Sequence, residues 1–313
     1  MHRRLAIAAP LLTLVLLTAA CGTGADPGSA PDAGSGTGAR PAVVAAFAPL
    51  AAVASAVAGP AVDVATLTPP GAEPHDLELS AAQVAQISEA DLVLYVKGFQ
   101  PAVDEAVEQH AADRAIDVSA GLTLRAADDH ADEAHGADTH ADDHGATDPH
   151  VWLDPRNMAA IGRTVADRLA TLAPQSDAAA RAEAFGTSMT ALDADYRAAL
   201  ADCASRTMIV SHEAFGYLAD AYGLEQVGIA GITPEAEPSP ARLAAVADVV
   251  RSSGATTIYS ETLMDPRVAQ TLADEVGVRT AVLDPIEGIA EGSTYEQLMR
   301  ANLATLIEGQ RCA

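Results

Sequence analysis

The sequence predicts an α/β protein made of two halves with parallel sheets, joined by a helix. Short β-branched runs alternate with Ala-rich helical stretches along the chain, and this alternation is typical of parallel sheets built from βα units. The alternation is interrupted once, between Asn157 and Cys203, where only helical patterns occur. A ligand would then lie between the two halves, at the carboxyl ends of the strands.

The candidate strands are short runs rich in β-branched residues. They are Ala42–Phe47, Val62–Leu67, Leu92–Val96, Ala115–Val118, Thr207–Ser211, Glu225–Ile229, Thr257–Ser260 and Arg279–Leu283. Helical patterns lie between them, among them Ser80–Ser88, Pro101–His110, Pro240–Ser253 and Pro266–Val276. Three of these four helices begin with Pro, which is favoured in the first turn because its missing N–H would have no partner there.

The helical region in the middle of the chain breaks at Pro174. Its second part carries apolar residues at spacings of four, three, four and four, which places them on one face of a long helix. They are Phe185, Met189, Leu192, Tyr196 and Leu200. We interpret this stripe as core packing. The predicted organisation is a first lobe over 41–174, a linking helix over 175–203 and a second lobe over 204–313.

The first twenty residues are predicted to be an export signal that is separate from the fold. Arg3 and Arg4 precede an apolar run from Leu5 to Leu17, and small residues lead into Cys21. This is the order of features in a secretory signal. The run is shorter than the roughly 20 residues of a membrane span, although a short anchor is an alternative. The segment also resembles a bacterial lipobox, whose cysteine is lipidated, with plain secretion as the alternative.

A flexible tether is predicted to follow Cys21. Residues 22–40 are rich in Gly, Ser, Ala, Pro and Asp and contain no large apolar residue, which is typical of a flexible coil. Residues 21–40 would therefore be a lipidated tether. The folded part would lie at the outer face of the cytoplasmic membrane, in the cell envelope.

The chain is strongly acidic. It has 43 Asp and Glu against 18 Lys and Arg, a net charge of −25. Such a charge repels nucleic-acid phosphates and favours cations, so nucleic acid is not an expected partner. Solubility in a salty environment would explain the same composition.

Two cysteines remain if Cys21 carries a lipid. In an oxidising compartment, Cys203 and Cys312 most simply form one disulfide. Two free thiols are the alternative.

A histidine-rich segment lies within the first predicted lobe. Residues 126–147 contain seven acidic residues, no basic residue and four histidines, namely His130, His135, His140 and His144. Nothing in this segment could form a core, so we predict a disordered loop. Imidazoles and carboxylates on such a loop would bind divalent metals weakly. An insertion that serves only solubility is the alternative.

Four other residues are placed where a binding cleft is expected. His75 lies in a Pro/Gly-rich turn after the second strand, and His150 follows the histidine-rich segment directly. His212 and Asp284 each come directly after a strand. Three imidazoles and one carboxylate suit a tetrahedral zinc site.

The chain resembles the zinc-specific solute-binding proteins of bacterial ABC importers (cluster A-I). The matching segments are EPHDLELS, KGFQPAVDEAV, DPHVWLDP, SHEAFGYLADAYGL, PEAEPSPARLA, SETLMDP and VLDPIEG, and they follow the family order. The resemblance implies two Rossmann-like lobes joined by a long rigid helix, with metal bound between them. It also implies a monomer that captures Zn²⁺ and delivers it to a membrane permease.

The resemblance further implies that His75, His150, His212 and Asp284 are the metal ligands. The fourth ligand varies within the family, so water or an adjacent carboxylate could replace Asp284. Manganese-binding relatives have a carboxylate in place of the third histidine, and His212 at that position favours Zn²⁺ over Mn²⁺.

Three other functions compete with zinc transport. A manganese-binding protein of the same family is one, and a surface adhesin or zinc buffer with this fold is another. An enzyme is not expected, because the H-E-x-x-H and G-x-S-x-G patterns of metalloproteases and serine hydrolases are missing from the sequence.

Overall fold

The computed structural model describes residues 39–127 and 147–313. The predicted signal peptide, Cys21 and almost all of the predicted tether lie outside these residues. So do the histidines of the predicted metal-binding loop, His130, His135, His140 and His144. The end residues of that loop, Ala126 and Thr147, pair through an antiparallel bridge. The predicted disorder therefore does not extend to these two residues.

The described residues confirm the α/β class and the eight predicted strand positions. The strands are β1 (Ala42–Ala45), β2 (Asp63–Thr66), β3 (Leu92–Tyr95), β4 (Ala115–Asp117), β5 (Thr207–Val210), β6 (Glu225–Gly228), β7 (Thr257–Ser260) and β8 (Arg279–Val282). The α-helices are α1 (Ala48–Ala58), α2 (Ala81–Glu89), α3 (Pro101–His110), α4 (Pro155–Leu172), α5 (Ala178–Ala199), α6 (Gly216–Tyr222), α7 (Pro240–Ser253), α8 (Arg267–Val276) and α9 (Tyr295–Gly309). Within the described ranges, no helix combines the length and the apolar character needed to cross a bilayer.

The two lobes have the same sheet topology. The strand order is β2-β1-β3-β4 in the first lobe and β6-β5-β7-β8 in the second, and every pairing is parallel. In a parallel sheet the carboxyl ends of all strands share one edge. The loops that follow β2, β5, β7 and β8 therefore emerge at the edges where a ligand between the lobes would bind.

Local sequence signals explain where the helices begin. Ser80 and Gln83 form a reciprocal capping box at the start of α2, and Thr294 and Gln297 do the same for α9. Each box satisfies backbone N–H groups that have no partner within the helix. The predicted starts of α3 and α7 at Pro residues are confirmed.

The linking helix α5 is packed into the core over much of its length. Met189, Leu192 and Tyr196 of the predicted stripe are buried, and the Tyr196 hydroxyl donates a hydrogen bond to the carbonyl of Met299 in α9 at 2.6 Å. One cluster of buried side chains includes residues from β1, α5 and β5. The hydrophobic core therefore continues from one lobe through the linking helix into the other, which opposes free hinge motion.

Trp152 connects the two lobes close to His150. Its side chain is fully buried, and its indole N–H donates to the carbonyl of Pro285 in the second lobe at 2.7 Å. The hydroxyl of Tyr295 in α9 donates to the carbonyl of Trp152 at 2.5 Å. Buried hydrogen bonds of this kind are costly to break. The turn that carries Trp152 is thus held against the loop after β8.

The predicted disulfide between Cys203 and Cys312 is confirmed. It joins residues 109 positions apart, from the end of the linking helix to the end of the chain. A covalent loop of this length restricts the unfolded chain much more than the folded one.

Replacing both Cys203 and Cys312 by Ser should lower the free energy of unfolding by about 2–5 kcal/mol. The reason is that the unfolded chain regains the freedom that the cross-link removes. Denaturant unfolding of the metal-free protein measures this difference. The parent protein treated with a reductant is the matched control and should unfold like the double variant, whereas equal stability of parent and variant under oxidising conditions would contradict the prediction.

Candidate metal centre

Three histidines and one glutamate come together between the lobes. His75, His150, His212 and Glu287 each offer one donor atom, and these atoms lie within 4.8 Å of one another. His150 and His212 are fully buried, Glu287 is 2% exposed and His75 is 7% exposed. The structure therefore brings together all three histidines that the sequence singled out.

The Glu287 carboxylate lies at the centre of the group. Its Oε1 atom is 3.3 Å from the Nε2 of His75, 3.7 Å from the Nε2 of His150 and 3.6 Å from the Nε2 of His212. The Nε2 atoms of His150 and His212 are 3.3 Å apart. Each imidazole thus presents the same ring nitrogen to one small volume.

His75 is positioned by the loop after β2 and by α3. The backbone N–H of His75 donates to the Oε2 of Glu73 at 2.8 Å, and the Gln100 side chain donates to the carbonyl of Pro74 at 3.1 Å. The Phe99 ring packs against the His75 ring edge to face, with centroids 4.7 Å apart. Hydrogen bonds and an aromatic contact therefore fix this loop against the start of α3.

Asp148 orients His150. Its Oδ1 atom accepts a hydrogen bond from the Nδ1 of His150 at 2.8 Å and another from the backbone N–H of the same residue at 2.9 Å. A carboxylate on Nδ1 fixes the tautomer and leaves Nε2 with a lone pair for a metal. Asp148 itself is buried, so this contact lies in a medium of low dielectric constant.

Glu261 does the same for His212 from the loop after β7. Its two oxygens accept hydrogen bonds from the Nδ1 of His212 at 2.7 Å and from its backbone N–H at 3.0 Å. Glu261 lies 49 positions further along the chain. Neither carboxylate was among the residues predicted from the sequence. The Asp-Pro-His spacing was a visible signal for Asp148, but no local pattern pointed to Glu261.

Asp284, predicted as the fourth ligand, lies outside the group, and Glu287 is the carboxylate within it. The Asp284 Oδ1 atom accepts a hydrogen bond from the backbone N–H of Ile286 at 2.8 Å, and its own N–H donates to the Asn302 side chain at 2.9 Å. Asp284 therefore holds the turn after β8. The choice of Asp284 assumed that the first carboxylate after the strand reaches into the cleft, whereas the geometry fits the alternative of an adjacent carboxylate.

The conformation of Ile286 explains why Glu287 enters the cleft instead. Ile286 has a φ of +56°, a left-handed conformation that a β-branched side chain adopts at a cost of about 1–3 kcal/mol. The hydrogen bond from its N–H to Asp284 stabilises this turn. In the sequence, the signal for Glu287 was a second carboxylate three positions after Asp284, in the segment DPIEG.

The electrostatics of the group follow from burial and from the carboxylates. Burial lowers the pKa of His212, but the Glu261 and Glu287 carboxylates outweigh it and raise this pKa to about 10. The pKa of His150 is also raised, against the effect of burial, by Asp148 and Glu287. The pKa of His75 is lowered, chiefly by burial. Burial opposes the ionised form of Glu287, yet its hydrogen bonds to the three histidines hold its pKa well below the usual range.

Two further carboxyl groups, those of Glu73 and Glu235, lie beside the three histidines and Glu287. Burial, above all, raises the pKa of Glu73 to about 9, and the nearby carboxyl group of Glu235 in the second lobe adds to the effect. The lobes therefore also meet through acidic side chains next to His75.

Together, the fold and this group define the class of the protein. It is a two-lobed α/β protein whose cleft holds three imidazole nitrogens and one carboxylate oxygen, the donor set that tetrahedral Zn²⁺ sites use. The chain belongs to the family ZnuA, the periplasmic component A of zinc-uptake complexes, whose model matches residues 43–309.

Individual relatives agree with this assignment. The chain is 34% identical over 282 residues to the zinc-binding protein AdcA of Streptococcus pyogenes, which covers 84% of this chain and 55% of that protein. It is 33% identical over 303 residues to the high-affinity zinc uptake system protein ZnuA of Bacillus subtilis, with 93% of each chain covered. The chain thus spans about half the length of AdcA and nearly all of that ZnuA.

A solved structure shows the same fold. The laminin-binding protein Lmb of Streptococcus agalactiae, described as a bifunctional protein with adhesin and metal-transporting activity, superimposes with a TM-score of 0.75. The two chains are 30% identical, and the match covers 86% of this chain and 99% of Lmb. The fold of two parallel sheets with flanking helices is therefore shared with proteins of this family.

Proposed function

We propose that this protein captures Zn²⁺ outside the cytoplasm and delivers it to the permease of an ABC-type importer. The observation that carries the proposal is the buried group of His75, His150, His212 and Glu287, whose donor atoms lie within 4.8 Å of one another. The relatives named as zinc-binding and zinc-uptake proteins support it. Zn²⁺ is the transported substrate, and no step of catalysis is involved.

The donor set favours Zn²⁺ over Mn²⁺. Three imidazoles and one carboxylate suit a borderline-soft ion, whereas Mn²⁺ prefers a larger number of oxygen donors. Asp148 and Glu261 hold two of the imidazoles in the tautomer that binds through Nε2. A carboxylate ligand also supplies negative charge that offsets the charge of the cation.

Binding should tie the two lobes together. His75 and His150 belong to the first lobe, and His212 and Glu287 follow β5 and β8 of the second. The packed linking helix limits any closure to a small movement, so we expect loop rearrangement rather than a wide hinge motion. A lipid on Cys21 would keep a monomeric protein beside its permease.

Zinc titration of the purified protein tests the binding part of the proposal. One tight site is expected, and zinc at about 1,000 times Kd should stabilise the folded state by about 4.1 kcal/mol. A triple variant with His75, His150 and His212 replaced by Ala is the control and should lose both effects. If the triple variant bound zinc as tightly as the parent in calorimetry, the assigned site would be rejected.

Growth under zinc limitation tests the transport part. A strain that lacks the gene should require added zinc, and the parent gene should restore growth while the triple variant should not. Restoration by the triple variant would contradict delivery through this site. Adhesion, an activity for which Lmb is described, is a second candidate, and laminin binding to the purified protein in a solid-phase assay tests it.

A further inference from the structure

Arg125 and Asp148 face each other at the ends of the two described segments. The backbone N–H of Asp148 donates to the carbonyl of Arg125 at 2.9 Å. The neighbouring residues Ala126 and Thr147 form an antiparallel bridge. This short pairing holds the side chains of Arg125 and Asp148 in register, close to His150.

The two oxygens of Asp148 have different surroundings. Oδ1 accepts both hydrogen bonds from His150, whereas Oδ2 makes no hydrogen bond within the described part of the chain. The Nη1 atom of Arg125 lies 3.7 Å from Oδ2. Since Asp148 is only 1% exposed, its carboxylate needs a nearby positive charge to offset the loss of hydration. The guanidinium of Arg125 supplies that charge.

The second lobe encloses this ion pair. The Tyr217 hydroxyl accepts a hydrogen bond from the N–H of Arg125 at 3.0 Å and donates one to the carbonyl of Asp148 at 2.9 Å. Gly216 packs directly on the pair, because a Cβ atom there would lie 2.6 Å from the Oδ2 of Asp148 and 2.8 Å from the Nη1 of Arg125. The Nε of Arg125 donates to Asp220 at 3.1 Å. Contacts from both lobes thus fix the guanidinium.

We propose that Arg125 is a positioning residue for zinc, which acts on the ligand His150 through Asp148. The proposal rests on the zinc site proposed above and adds a residue that touches neither the metal nor a ligand. Arg125 fixes Oδ2, so Oδ1 stays aligned with the Nδ1 of His150. The Nε2 lone pair then points at the position that the cation takes.

Two effects of Arg125 on zinc affinity have opposite signs. As a positive charge near a cation site, Arg125 disfavours Zn²⁺ by simple repulsion, and its removal would tighten binding. As a positioning group, it favours binding, and its removal would weaken it. Replacement of residues that orient metal ligands weakens metal affinity by about 10–100-fold. Positioning should therefore outweigh repulsion.

The chain offers a matched control in Arg156. Arg125 and Arg156 line the same surface crevice, together with Asp154, Tyr217 and Asp220. Arg156 is bonded to Asp154 rather than to Asp148. Substitution of either arginine by Gln therefore removes one positive charge from the same region, but only one substitution affects Asp148.

The experiment compares R125Q, R125K and R156Q with the parent protein. Zinc affinity is measured by competition with a chromophoric chelator, the site geometry by the visible absorption of bound Co²⁺, and folding by thermal unfolding without metal. We expect R125Q to bind zinc about tenfold more weakly with an altered cobalt spectrum. R125K should recover part of the affinity, and R156Q should bind at least as tightly as the parent.

Several results would overturn the proposal. It fails if R125Q binds zinc as tightly as R156Q, or if weaker binding comes with lower stability and an unchanged cobalt spectrum. If R125Q does not fold, R125K decides, because parental affinity and spectrum in R125K would reject positioning by the planar guanidinium. Should the parent bind no zinc, the proposed function itself fails. If the parent and both Arg125 variants bound zinc with the same affinity, only this inference would be rejected.

Discussion

Replacing Glu287 by Gln should weaken zinc binding by about 100-fold or more. Loss of a group that only orients a ligand costs about 10–100-fold, and Glu287 is placed to contact the cation itself. The substitution keeps the size of the side chain and removes the negative charge at the centre of the three Nε2 atoms. Binding should remain measurable because three imidazoles are left. Competition with a chelator of known affinity measures the difference.

Asp284→Asn is the control that separates the two carboxylates. Asp284 holds the turn through the N–H of Ile286, and the Asn side-chain oxygen can accept the same hydrogen bond. Zinc affinity should therefore stay within a few-fold of the parent value. If D284N lost as much affinity as E287Q, or if E287Q bound like the parent, the assignment of Glu287 as the fourth ligand would be wrong.

Zinc affinity should rise with pH well above the range of an ordinary histidine. The pKa of metal-free His212 is about 10, since the carboxylates of Glu261 and Glu287 outweigh the effect of burial. Below that pH, zinc must displace a proton from Nε2, and each proton released changes the affinity about tenfold per pH unit. His150, whose pKa is also raised, can release a second proton when zinc binds. Glu287 stays ionised throughout.

Calorimetry in buffers of different ionisation enthalpy counts the protons released. Between one and two are expected at pH 7, and affinity should continue to rise from pH 6 to 9. Protonated His212 also stabilises the metal-free fold. This contribution to stability is fully present below pH 6.5 and is lost as the pH rises through about 10. The opposite result, an affinity that levels off above pH 7 without proton release, would contradict this picture.

Glu261→Gln is the variant that tests whether the Glu261 carboxylate raises the pKa of His212. It removes the charge that favours the protonated form of His212 and keeps a side-chain oxygen that can accept a hydrogen bond. The pKa of His212 should fall, so the rise of zinc affinity should level off at a lower pH. An unchanged pH profile would mean that Glu261 does not hold the proton.

The fold was predictable because its signals are local. Each of the eight strands lies within its predicted run, and α3 and α7 span their predicted residues. β-Branched runs, capping residues and helix-start prolines act over a few positions, so one sequence is sufficient to read them. The predicted stripe on the linking helix was informative for the same reason, because its residues share a face and Leu192 and Tyr196 are buried.

The site was predictable only in part. His75, His150 and His212 could be singled out because polar residues after the strands of a parallel sheet face one edge, and the structure brings them together. Glu287 could not be told from Asp284, since the choice depends on the left-handed turn at Ile286.

The types of donor, the order of the strands and helices, and the family could all be predicted from the sequence alone. These properties follow from residue types and short spacings. Which carboxylate lies among the histidines, and which groups orient them, became visible only in the three-dimensional fold, because Glu261 and His212 are 49 positions apart. Such contacts form when the two lobes pack through a common core. Residues that meet in this way are far apart in the sequence, so no local or periodic sequence pattern indicates the contact.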